Sequence, residues 1–552
     1  MSVQNKNQVE QEPQHSIIFT GEKIEKKKQN FKEFLTLKSM KNLLSCSFLG
    51  LILTTVYVLT YGKNVFTLDG RVEAENIGIL LFLYSTIIGQ IVYNCFTDLN
   101  AGVMVFMVCE NFILSRKIFS KCMENGDIIY AVTNTLFCCS ISALFLALGL
   151  FLISRTKLIH YCNYLPKPTL YSYIIFMCYV NVHTGYSLVS REMKLIILVI
   201  ISSIILFLAE HFISSPFITS IVIMVQTLGF YLCMFLFFYF KGYSLNLSYI
   251  LEFSVKKSFL NENSPIKFCP LYIFKYFSLK LIDYKIIFKC SLEIISMVLF
   301  AVMQFPVAYP TLSAFTNVEY DLKKEITAQS YMNFFSFFLF YPTCISPACS
   351  SSYYKSGSIT KYHGIFGSLS YIFIIFIGPL LNSIIPKYVL ASIPMSIGFH
   401  YLLSFINSCK NLNLRELMIL AISSLLLFVF DIPLIGLLIS IGICTIFYYI
   451  DFYMIKDNRS GIDEILSPRL LGFIDLYNFD KKINIMGDDV IINFNECKTM
   501  DANARDYLVE KVKDENIYFT FIGRPNGFKR YDDINGDNIK KYNSYCEYSN
   551  DN

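Results

Sequence analysis

The chain has 552 residues, of which 54% are apolar and only 16% charged, and its mean hydropathy is +0.48. A soluble domain usually carries about 25% charged residues, so this composition excludes a soluble globular protein over most of the length and implies a chain solvated by lipid. The net charge of +5 is modest and comes partly from the run Lys23 to Lys28, read as a solvated tail able to touch anionic headgroups; no nucleic-acid partner is implied.

The 17 cysteines are dispersed, and many, such as Cys138-Cys139, Cys290 and Cys444, sit inside apolar runs. No C-x-x-C spacing and no neighbouring His completes a metal site, so they read as small core residues, with no metal and no disulfide framework. No P-loop, nucleotide fingerprint or nucleophile with its base stands out, so no cofactor, no enzyme activity and no ATP-driven step is expected.

Residues 1–40 are polar, lack a cleavable apolar core and read as a cytoplasmic tail, so the first span is expected to insert as a signal anchor. A spanning helix needs about 20 apolar residues. Candidate stretches lie near 43–61, 77–96, 101–118, 128–153, 169–184, 194–209 and 217–240, a first membrane repeat over 41–240. A polar, lysine-containing connection, 241–285, precedes a second repeat over 286–455, with stretches near 286–305, 326–342, 347–357, 364–381, 388–406, 415–430 and 432–450. The stretch at 347–357, with Pro347 and three consecutive serines, is too broken to span alone, and such backbone survives only in a protein-lined cavity. The halves share a word, Leu165-Pro166-Lys167 against Ile385-Pro386-Lys387, each opening the fifth stretch of its half. Two sets of seven with a shared word and interrupted members predict an internal repeat of the kind secondary transporters use. Arg155, Lys157 and Lys167 obey the positive-inside rule for a cytoplasmic N-terminus, whereas the lysines of 241–285 fall on the opposite side.

After Asp451 the chain turns charged. Val490 to Phe494 reads as a strand, Asp501 to Val512 as a helix and Ile517 to Ile522 as a second strand, which predicts a small parallel α/β unit over 456–552.

The stretch from Val490 to Ala504, with Asp501 placed to cap the following helix, resembles a STAS domain. Phosphoswitching STAS domains carry Ser or Thr after that Asp; Ala502 stands here, so docking or regulation is the role expected. The membrane part resembles the SulP (sulfate permease) family, in a fungal-type branch. The resemblance is carried by Gln304-Phe305-Pro306-Val307-Ala308-Tyr309-Pro310-Thr311-Leu312, by Asp321 to Gln329, by Ser350 to Ser352 and by Gly357 to Thr360. Gly89 to Tyr93, Glu110 and Leu165-Pro166 carry it more loosely in the first half. It implies an all-α, 7+7 inverted-repeat transporter of about 14 segments, a homodimer, with half-helices three and ten meeting around a small sulfate-like anion. Many family members place an Arg beside the tenth-segment serines, and Cys349 aligns there.

Two facing half-helix N-termini offer unpaired N–H groups and positive dipole ends to an anion. Ser350, Ser351 and Ser352 would add hydroxyl donors, or else bond the preceding turn of their own helix. Glu110 and Asn111 lie in the third stretch, where a carboxylate is costly enough to face a cavity or a partner; a protonatable Glu110 would couple proton entry to anion movement. Gln90 is a further binding candidate, with interhelical bonding as its plainer role. Lys289 and Glu293, four residues apart, are expected to pair on one helix face, and Pro306 and Pro310 to bend the eighth stretch. The expected function is secondary transport of a small anion by alternating access, in the plasma membrane or a vacuole-like membrane. A nucleobase carrier of the same architecture and a non-transporting scaffold using its STAS-like domain are the alternatives.

Overall fold

The computed structural model describes residues 36–454, except 63–65, 67–71, 100, 157–165, 190–192, 214, 242–249, 251–253, 255–271 and a few positions near 317, 411 and 430. In the C-terminal part it describes 465–466, 470–471, 489–493, 499–500, 518–522 and isolated helical positions. The chain divides into two compact units, one holding the described residues of 27–308 and 320–449, the other those of 309–319 and 450–552.

The first half runs α1 (Leu37–Tyr61), α2 (Val72–Phe96), β1 (Val105–Met107), a 3-10 turn (Cys109–Asn111), α3 (Phe112–Met123), α4 (Ile128–Arg155), α5 (Lys167–Ser187), α6 (Met193–Phe212) and α7 (Ile218–Phe240). Short helices α8 (Tyr272–Tyr276) and α9 (Tyr284–Lys289) lead into α10 (Ser291–Met303) and α11 (Phe305–Thr316). Then come α12 (Leu322–Phe338), β2 (Thr343–Ile345), α13 (Pro347–Lys355), α14 (Lys361–Leu369), α15 (Ile374–Ile384), α16 (Lys387–Cys409), α17 (Leu414–Val429) and α18 (Pro433–Met454). Among the described residues, 7 helices are long and apolar enough to cross a membrane. The third and tenth stretches are the short ones: each is a strand followed by a half-helix.

Local chemistry accounts for the boundaries. Thr36 and Asp321 accept from backbone N–H groups of the first turns of α1 and α12. Pro166 and Pro386 occupy the same N-cap position of α5 and α16, so the word shared by the two halves marks equivalent helix starts. The eighth stretch is cut at Gln304, between α10 and α11, rather than bent. It is also cut at Cys290 (φ −102°, ψ 11°), which separates α9 from α10. That second break corrects one expectation: Lys289 ends one helix and Glu293 lies on the next, and Glu293 pairs instead with Lys121 of α3.

Within the membrane unit the helices fall into two packed groups. One comprises α1 to α4, α10 and α12 to α14; the other is built on α16 against α5 and α6, with α17 on α5 and α7 on α6. Gly185 permits the approach of α5 to α16, since a Cβ there would come 2.7 Å from the Ala391 carbonyl. Contacts of α1 with α16 and α7, and of the 3-10 turn with α5, join the groups.

In the C-terminal unit β5 (Asp489–Asn493) is the centre of a parallel sheet, with β7 (Tyr518–Ile522) on one side and β3 (Ile465–Leu466) on the other. β4 (Leu470–Leu471) and β6 (Thr499–Met500) form a second parallel pair. The two strands expected from the sequence are therefore present and parallel; the helix expected from Asp501, and its capping, lie outside the described residues.

Candidate substrate site

Where the third and tenth stretches meet, extended backbone replaces helix. Val105, Phe106 and Met107 pair antiparallel with Ile345, Cys344 and Thr343, and every residue of both strands is buried. Val108 N–H donates to the Pro342 carbonyl and Ser346 N–H to the Met104 carbonyl, lengthening the ladder at both ends. Such backbone persists in an apolar unit only when its polar groups are paired within the protein. Two asparagines complete that pairing. Asn94 of α2 donates to the Val103 carbonyl and accepts from the Val103 N–H, both at 2.9 Å. Asn333 of α12 does the same for Thr343, at 3.0 and 2.9 Å. Each also donates to the carbonyl of a glutamine one turn earlier, Gln90 or Gln329.

One face of α1 meets both half-helices. Tyr57 stacks on Phe106 with ring centroids 4.6 Å apart, and its hydroxyl is hydrogen bonded with the Cys349 thiol in the first turn of α13. Tyr61, one turn on, lies against Phe112, the first residue of α3, and donates to Asn181 of α5 at 2.7 Å. Pro347 has no N–H, and helix geometry leaves the N–H groups of Ala348 and Cys349 without intrahelical partners. The dipole of α13 adds partial positive charge at the same point. The site therefore offers backbone donors beneath aromatic rings, and no basic side chain in the first turn of α13.

The residues expected at the site fall in different places. Ser350 sits on the first turns of α13, yet its hydroxyl accepts from Met104 N–H at 3.0 Å and donates to the Met104 carbonyl, tying the half-helix to the start of β1. Ser351 is buried beside it, and Ser352 is half-buried. Asn111 ends the 3-10 turn before α3 and is buried. Glu110 precedes it in that turn, and its side chain lies outside the described residues. Gln90 faces away from the gap, donating to the Gly364 carbonyl at 3.0 Å and to the Tyr371 hydroxyl at 3.3 Å, which is the interhelical role.

Other residues were passed over. Tyr57, Phe106 and Tyr61 looked like ordinary apolar filling. Arg116 on α3 acts electrostatically on His183 of α5, and its guanidinium inside an apolar stretch was a signal in itself. Glu210 of α6 accepts from Thr219 at 2.7 Å and lies 3.0 Å from His400 and 3.2 Å from Ser396, both on α16.

No family model matches the chain. By sequence it is similar to the vacuolar basic amino acid transporter VSB1 of Saccharomyces cerevisiae, at 22% identity over 437 residues. That match takes in 74% of this chain and 41% of VSB1, so the chain spans about two fifths of the length of that relative. By structure it is similar to the transmembrane domain of the cyanobacterial bicarbonate transporter BicA, with TM-score 0.52 and 11% identity over 74% of this chain and 99% of that one. It is also similar to the murine Slc26a9 anion transporter in its inward-facing state, with TM-score 0.51 and 12% identity over 91% and 89%. The membrane fold is theirs. With its apolar helices, the chain is an integral, multi-pass membrane protein.

Proposed function

We propose that the chain is a secondary carrier for a small anion, or for a small solute bearing an anionic group, bound at the N-terminal turn of α13 and moved as the half-helix group shifts against the α5–α16 group. The observation that carries this reading is the β1–β2 ladder, which holds two half-helix starts against one aromatic face of α1. Orphan N–H groups and a helix dipole there suit negative charge and need no catalytic side chain. Anion transport is also what the solved structures of the same fold are named for.

Sulfate is one member of this class. Ser351 and Ser352 would contribute hydroxyls, while Ser350 would act by fixing α13. Glu110 is the group proposed to bind a coupling proton; Glu110→Gln, neutral in form, is expected to remove the pH dependence of uptake. The parallel C-terminal sheet suits a STAS-like docking module, and a homodimer and a vacuole-like membrane belong to the same reading.

A second reading is favoured by two observations: the relative named as a basic amino acid transporter, and the thiol of Cys349 where an Arg would favour a simple anion. In it the α13 turn receives the carboxylate of an amino acid whose side chain is cationic. Uptake into liposomes of labelled sulfate, bicarbonate, chloride and arginine by the reconstituted full chain tests both. Saturable uptake of any of them supports a carrier and picks its class; uptake of none would leave the scaffold.

A further inference from the structure

Asn111 ends the turn before α3 and has 0% of its surface exposed. Its Nδ2 donates to the Met297 carbonyl of α10 at 3.2 Å, which fixes the amide and leaves Oδ1 on the opposite side, where it has no hydrogen-bond partner. A side chain at this position ordinarily accepts from the N–H groups of the helix it precedes, but here it does not cap α3. The preceding turn already uses the Phe112 N–H, which donates to the Cys109 carbonyl. Nearby hydroxyls are engaged as well. Ser115 donates to the backbone carbonyl of Asn111 and shares a 2.7 Å bond with the Tyr341 hydroxyl, and Tyr61 donates to Asn181. A buried acceptor without a donor is costly, whereas an apolar side chain of similar size would remove that cost. This acceptor also stands at the start of a half-helix in the proposed substrate site.

We propose that Asn111 Oδ1 accepts a hydrogen bond from the transported solute, so that the solute pairs its anionic group with an N–H or O–H donor. The inference rests on the carrier reading and narrows it. Bicarbonate, with its O–H, and amino acids, with their ammonium group, meet the requirement; sulfate, nitrate and chloride at neutral pH do not.

The test is binding and uptake by the full chain in liposomes at neutral pH, with bicarbonate, arginine, sulfate, nitrate and chloride as probes. Bicarbonate or arginine is expected to bind, with sulfate, nitrate and chloride at least tenfold weaker. Asn111→Leu is expected to weaken the donor-bearing probe by about ten- to a hundredfold, as a bond to a charged group would, and to leave the melting temperature of the unliganded protein unchanged or higher. Asn111→Asp, which keeps an acceptor and adds charge, is expected to shift preference towards arginine over bicarbonate by at least tenfold. Arginine and bicarbonate arms thus separate the two sources of the donor. If sulfate or nitrate binds as tightly as either, or if Asn111→Leu affects every probe alike or none, Oδ1 serves packing or a bound water; the inference is overturned while the carrier reading stands. Failure of all five probes to bind overturns both.

Discussion

In the first half of the membrane unit Asn94 holds Val103 and a 3-10 turn separates β1 from α3, whereas in the second Asn333 holds Thr343 and α13 follows β2 after the single residue Ser346. The two hairpins share the device that makes extended backbone tolerable and differ in what they present beyond it. The first offers side chains with charge or amide character, Glu110, Asn111 and Arg116. The second offers a proline-led turn of backbone donors and small side chains. Binding strength for an anionic group would come from the second, and discrimination between solutes from the first.

The shared device is the place to break both hairpins alike. Asn94→Ala and Asn333→Ala each strand a buried N–H and a buried carbonyl of an extended segment. At about 1–3 kcal/mol for each orphaned group, each variant is expected to lose about 3 kcal/mol or more. Unfolding midpoints in detergent measure it, and the two losses should agree within about 1 kcal/mol if the staples are equivalent. A large loss at one site only would mean that the matching geometry does not carry matching energy.

Next in size is a tether peculiar to the first half. Lys121 of α3 pairs with Glu293 of α10, whose carboxylate is nearly fully buried while the lysine is about one-third exposed. Lys121→Met leaves that carboxylate without its cation, which costs several kcal/mol in a fully buried pair; with one partner partly solvated, about 2 kcal/mol is expected. Replacing both residues by Met should recover most of the loss. If the double variant is no better than the single one, the pair is not what holds α3 to α10.

Most helices were legible because the requirement they answer is local. About 20 apolar residues make a span, and the stretches at 128–153, 194–209 and 217–240 became α4, α6 and α7 almost to the residue. The Leu-Pro-Lys and Ile-Pro-Lys starts were legible for the same reason. The ladder was not, because its partners lie far apart in sequence and a three-residue buried strand has no periodicity to read. A better signal was present in Gln90-x-x-x-Asn94 and Gln329-x-x-x-Asn333, matching pairs at matching places, each a short step before its strand. The pairing of Lys289 with Glu293 failed at Cys290, where spacing along one helix ceased to apply. Gln90 was legible as polar and apolar-embedded, but the choice between ligand and brace depended on Gly364, more than 270 positions away.

A smaller effect tests the clasp between the halves. Ser350 of α13 holds both backbone groups of Met104, just before β1. Ser350→Ala removes the bonds without adding bulk and is expected to cost about 1–2 kcal/mol, read by the same midpoints. Substrate affinity should change by less than it does in Ser351→Phe, which fills the gap itself.

The smallest expected effect concerns the supports on which the hairpins rest. Asp321 caps α12, the helix carrying Asn333, whereas on the first-half side Asp283 caps α9 ahead of α10 and also binds α4. Its carboxylate accepts from Lys285 N–H at 2.9 Å and from the Tyr130 hydroxyl at 2.9 Å, while its own N–H donates to the Asn134 side chain at 2.8 Å. The Lys285 N–H, then the Tyr130 hydroxyl, favour the charged form and hold the Asp283 carboxyl below its ordinary value. A lowered value in the folded state means that the clasp stabilises the protein fully above the unfolded value, about 3.9, and that this part is lost as pH falls through the folded value beneath it. Asp283→Asn should therefore lower the unfolding midpoint slightly at pH 6 to 7, with parent and variant converging below pH 4. The backbone bond to Asn134 survives the substitution and sets a limit on the loss. A gap that stays constant down to pH 3 would show that the Asp283 charge contributes nothing, and that the two supports differ in shape and not in their response to protons.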